Sequence, residues 1–170
     1  MQPFRYIAPF ASLAILTLVA ALPWGLPPED RFFLPLLPVV AIHYWSLRHG
    51  VLIPEWGVFL AGLTLDVLTH GPLGYWSLIY LVAHTLAILS APYAAHGPGA
   101  RLFLFAVALS IVTFVAWIVS SVYFLEPADW RPYAFGAGLA GLAALVLVPL
   151  LRAVDVQQGT RGNALLVRGG

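Results

Sequence analysis

The chain has 170 residues, of which 61% are hydrophobic and only 9% charged, with a net charge of +1 and a mean hydropathy of +0.91. A soluble domain carries about 25% charged residues and near this length buries only about 70% of its surface. Lipid is therefore the expected solvent, which argues against a soluble enzyme, a nucleic-acid binder and a disordered scaffold. All eight basic residues are arginine, scattered singly, so no polybasic patch recruits nucleic acid. The absence of cysteine and lysine excludes disulfides, thiolate metal sites, Schiff bases and a Walker-type lysine.

A spanning helix needs about 20 mainly apolar residues. Six stretches come close, at 6–22, 32–47, 51–68, 73–91, 102–125 and 133–151. They predict an all-α membrane protein, a six-transmembrane-helix bundle, with one integral membrane domain over 1–152 and a short cytoplasmic tail over 153–170. The first stretch follows Arg5 and ends in Val19-Ala20-Ala21, a pattern shared with secretory signals; it is read here as a retained span. Pro23, Gly25, Pro27 and Pro28 separate it from the second, which carries Pro35 and Pro38 and is expected to be tilted, broken or partly re-entrant. With the N-terminus inside, Arg5, Arg48, Arg101, Arg152, Arg161 and Arg168 are cytoplasmic, and only Arg31 and Arg131 are outside. That asymmetry predicts an N-in, C-in orientation.

The third stretch carries two acids. Glu55 follows Pro54 and reads as a helix-start residue near the headgroups, where the helix dipole favours an anion. Asp66 lies deep in the hydrocarbon, where an ionisable group is by default a site hypothesis. Gly62 shares its helical face and permits close approach of a neighbour. The Gly71-Pro72 turn brings the fourth helix back beside the third, with Pro72 suited to its first position. The free amides of Leu73, Gly74 and Tyr75 are then expected to meet the Asp66 carboxylate, clasping the hairpin. A partner-binding role, or proton, ion or substrate handling, are the other readings of Asp66.

In the fourth stretch His84 aligns with Trp76 and Tyr80 at four-residue steps and is expected to be hydrogen-bonded inside the bundle. His43, His49 and His96 belong near the cytoplasmic side, so topology disperses the histidines and no metal site is expected, nor any cofactor. The fifth stretch bears Ser110, Thr113, Trp117 and Ser120, read as helix–helix hydrogen-bonding groups. In the sixth, Gly136 with Ala140 and Ala137 with Gly141 form a small-residue packing face. Trp24, Trp45, Tyr75, Trp76, Trp130 and Tyr133 read as interfacial belt residues. Trp76, Tyr80, His84 and Trp117, with Asp66, are the candidates for lining a pocket. Asp66 with His70 is the one acid–base pair that an intramembrane enzyme could use.

The run Gly62, Leu63, Asp66, Val67, Leu68, Pro72, Leu73 and Gly74 resembles the signature of the bacterial rod shape-determining protein MreD family, in which an acid in a Gly-Leu-rich helix precedes Pro-Leu-Gly. The continuation Leu78-Ile79-Tyr80-Leu81-Val82-Ala83 and the closing Val148-Pro149-Leu150-Leu151-Arg152 are also similar to it. His84 departs from the tyrosine common in that family, and the Arg48-His49-Gly50 loop carries less charge. The resemblance implies a non-catalytic inner-membrane component of the cell-elongation machinery. Its partners would be an MreC-type membrane protein and, through it, MreB-type filaments and a RodA-type peptidoglycan synthase. It also implies a fold similar to the substrate-binding subunits of energy-coupling-factor transporters, so a vitamin-type transporter subunit is the alternative.

Overall fold

The computed structural model describes residues 4–25, 27–47 and 53–168, with the side chains of 4–6, 28–30 and 157–168 left aside. The Arg48-His49-Gly50 loop and the first two residues of the third predicted span lie outside the described residues. Every element in them is helical: α1 (Phe4–Ala21), a 3-10 helix (Pro28–Leu36), α2 (Leu37–Ser46), α3 (Glu55–Thr69), α4 (Tyr75–Ser90), a short 3-10 turn (Tyr93–His96), α5 (Pro98–Phe124) and α6 (Arg131–Arg168).

The second stretch is broken in the middle, for a reason visible in its prolines. Pro28 opens a 3-10 helix, and Pro35 and Pro38 flank its junction with α2. In the 3-10 pattern the donor to the Pro35 carbonyl would be residue 38, and proline has no N–H. The Tyr80 hydroxyl, reaching from α4, donates to that carbonyl instead at 2.9 Å. Alpha-helical α2 is only ten residues long, yet it is the centre of the molecule. Leu37 to Ile42 and Trp45 are buried, and α2 packs against α1, α4 and α6. Trp45 Nε1 donates to Ser12 Oγ at 2.9 Å, tying it to α1.

Helices α3 and α4 form the most extensive pair. Pro54 is the N-cap of α3, in extended conformation, and Glu55 opens the helix. The turn that follows is longer than the expected one. His70 ends α3 in the left-handed region at φ 55°, and Gly74, at φ 90°, precedes α4, which starts at Tyr75 rather than Pro72. Gly62 lies so close to the Ser77 backbone that a β-carbon there would collide with it.

Among the described residues two helices are long and apolar enough to cross a membrane, Pro98–Phe124 and Arg131–Val156, while Ile7–Ala21 and Tyr75–Ser90 are shorter apolar helices. Only 33% and 22% of the best windows of the two long ones are buried, so they face outward along most of their surface, unlike the core helix of a soluble protein. Helix α6 continues through Arg168, so the expected tail is a continuation of the last helix. Its small-residue face is used inside the bundle through the first expected pair, Gly136 and Ala140, continued by Ala144, while Ala137 and Gly141 of the second pair are half-buried. Gly136, Ala140 and Ala144 are buried, and a β-carbon on Gly136 would lie 2.9 Å from the Phe32 ring and 3.1 Å from the Phe33 amide nitrogen. Gly141 has ordinary space, with Leu109 at 3.9 Å.

Candidate functional site

Asp66 is fully buried at the last turn of α3. The first turn of any helix leaves backbone N–H groups without intrahelical acceptors, and in α4 the residue before that turn is Gly74, which has no side chain to cap them. Asp66 supplies the cap from the neighbouring helix. Its Oδ2 accepts from the Gly74 amide at 2.8 Å and its Oδ1 from the Trp76 amide at 3.0 Å, and the Ser77 amide also donates to the carboxylate. Leu73 and Tyr75, two of the three expected donors, take no part. Leu73 is 73% exposed, and the Tyr75 amide turns back to the Pro72 carbonyl at 3.1 Å. The added residues of the turn displace the register, so the donors are 74, 76 and 77. Ser77 Oγ donates to the Phe59 carbonyl at 3.2 Å, a second tie between the helices.

His70, in its left-handed cap, is exposed, and the hydrogen bonds of Asp66 run to the α4 backbone. The two do not form an acid–base pair. Among the described residues, no three His, Asp or Glu side chains converge as metal ligands.

The expected pocket residues make separate contacts in the bundle. Tyr80 is fully buried by its bond to Pro35. His84 Nδ1 pairs with Ser46 Oγ at 2.8 Å, and its Nε2 meets no partner among the described residues. His43, edge-on to Phe105 at 5.2 Å, has neither ring nitrogen partnered there. Trp117 Nε1 donates to the Ala128 carbonyl at 2.8 Å, and the Ala128 amide donates to Ser121 Oγ at 3.1 Å, so this part of α5 holds the loop before α6. Two other members of the α5 stripe do not bridge helices: Ser110 bonds back to Ala106 in its own helix, and buried Thr113 Oγ1 meets no partner among the described residues.

Trp76 borders two cavities. One, of about 200 Å³, is framed by Phe32, Tyr75, Trp76, Tyr123 and Tyr133. The other, of about 440 Å³, lies between the ends of α1 and α3 and the 3-10 helix. Phe32 and Trp76 line both, with ring centroids 5.6 Å apart, and form the partition between them. Phe32 had no signal of its own in the sequence beyond belonging to an apolar run. Its position follows from the 3-10 geometry, which turns it toward Gly136 and Tyr133, whose ring centroid is 4.2 Å away.

No protein-family model matches this chain, and neither a curated protein nor a solved structure does.

Proposed function

We propose that this protein is a non-catalytic scaffold of the bacterial cell-elongation machinery. It crosses the inner membrane six times with both termini in the cytoplasm, and it assembles with an MreC-type membrane protein and through it with MreB-type filaments and a RodA-type peptidoglycan synthase. Cell shape enters through the resemblance of the Gly62–Gly74 segment to the MreD signature, which also carries the likeness to energy-coupling-factor substrate-binding subunits. The observation that supports a scaffold is the use of Asp66. Its two oxygens are committed to backbone amides of α4, so the charge that would otherwise suggest transport or catalysis serves as a helix cap.

Depletion in the parent cell, with shape followed by microscopy and an MreC-type protein sought by copurification, tests this reading. Rods should round into spheres, and the partner should copurify with the detergent-solubilised chain. Unaltered rods that acquire a vitamin requirement would instead establish the second reading, a substrate-binding subunit of a vitamin-type transporter. The aromatic-lined cavities beside Trp76 favour that second reading.

A further inference from the structure

The larger cavity has a composition that the scaffold reading does not use. Its wall is apolar on most sides, with Leu22, Phe32, Leu34, Leu68 and Trp76, and Arg31 is the one ionisable residue among the described residues that line it. Arg31 is exposed while Leu34 and Trp76 are almost wholly buried, so the charge stands at the mouth and the apolar wall lies behind it. At about 440 Å³ the space falls within the range of small-molecule sites and has about the size of one acyl chain. The carbonyl ends of two helices border it, through Leu22 and Pro23 after α1 and Leu68 and Thr69 in α3. The Leu68 carbonyl has no i+4 donor, because residue 72 is proline. Glu29 and Asp30 immediately precede Arg31 in the chain.

An amphiphile with a cationic and an anionic group on its head matches this arrangement better than a simple anion. Its phosphate has Arg31 as a charge-assisted donor, and its ammonium has the carbonyl ends of α1 and α3, where the helix dipoles favour positive charge. Its chain has the cavity. A water-soluble head alone would leave the apolar wall unfilled. We infer that the cavity bounded by Arg31, Phe32, Leu68 and Trp76 is a selective site for a zwitterionic, amine-bearing glycerophospholipid of the surrounding bilayer. The site rests on the membrane placement proposed above and is independent of the elongation partners.

The full chain, purified in detergent with equal amounts of phosphatidylethanolamine, phosphatidylcholine and phosphatidylglycerol, should retain phosphatidylethanolamine in native mass spectrometry at least tenfold over the other two. Ala21→Phe, which fills the cavity from the end of α1, should abolish retention. Leu68→Trp does the same from a half-exposed position, where the added bulk leaves folding intact. Arg31→Gln should reduce the preference at least tenfold. Equal retention of the three lipids, or retention unchanged in both filled variants, overturns the site. Displacement of the lipid by glycerophosphoethanolamine at the lipid's own concentration also overturns it, in favour of a soluble ligand. Carbonate extraction of membranes is the separate control: release of the chain would overturn the membrane placement, whereas a chain that stays embedded yet shows no lipid preference refutes only the site.

Discussion

Replacing Asp66 with leucine removes the acceptor from the Gly74, Trp76 and Ser77 amides at once. A buried donor left unpaired costs about 1–3 kcal/mol, and loss of an N-cap alone costs about 1 kcal/mol. Asp66→Leu is expected to destabilise the protein by about 3 kcal/mol, a fall of roughly 6–12 °C in the thermal midpoint for a chain of this size. Asp66→Asn keeps one acceptor oxygen and should lie between leucine and the wild type, and thermal unfolding in a single detergent orders the three. An Asn variant as stable as the wild type, assembled but inactive in vivo, would show that the charge and not the cap is what matters at this residue.

Among the elements, the glycines of α6 differ in what they touch. Gly136→Ala drives a methyl group into the Phe32 ring and the Phe33 backbone, and overpacking of this kind costs about 1–3 kcal/mol. Gly141→Ala meets only Leu109 at van der Waals distance, so it should be neutral or stabilise by up to about 1 kcal/mol through helix propensity. Folded yield and thermal midpoint of the two variants measure the difference. Sequence periodicity named both glycines but not which of them makes the close contact. Small residues four apart show that a close neighbour exists, whereas the neighbour here is a 3-10 segment about 100 residues earlier, whose rise and rotation differ from those of an α-helix. The hairpin was legible for a related reason and with a related error. A buried acid before Gly71-Pro72 signals a cap, but the left-handed turns at His70 and Gly74 add residues that a proline-first helix would not have. Of the cavities only Trp76 was legible, since its partner Phe32 is 44 residues away and meets it only when α4 and the 3-10 helix pack together.

At the scale of the molecule, α6 is 38 residues long, about 57 Å at 1.5 Å per residue, against a hydrocarbon core of about 30 Å. In the membrane placement proposed above one end leaves the bilayer, and the arginines after Leu151 assign that end to the cytoplasm by the positive-inside rule. Alkaline phosphatase fused after Arg152 should be inactive and one fused between Pro127 and Arg131 active. The opposite pattern would reverse the orientation of every helix and move the Arg31 cavity to the inner leaflet.

The seat of the 3-10 helix has a consequence for how the protein is made. Pro28–Leu36 rests chiefly on α6, and α2 is enclosed by α1, α4 and α6. An element early in this sequence is thus completed by the last one in it. Until residue 131 and those after it are in place, the centre of the molecule has only part of its wall, and the Pro35 carbonyl waits for Tyr80 from α4. Biosynthesis has to hold an unfinished core open while more than half of the chain is still to come.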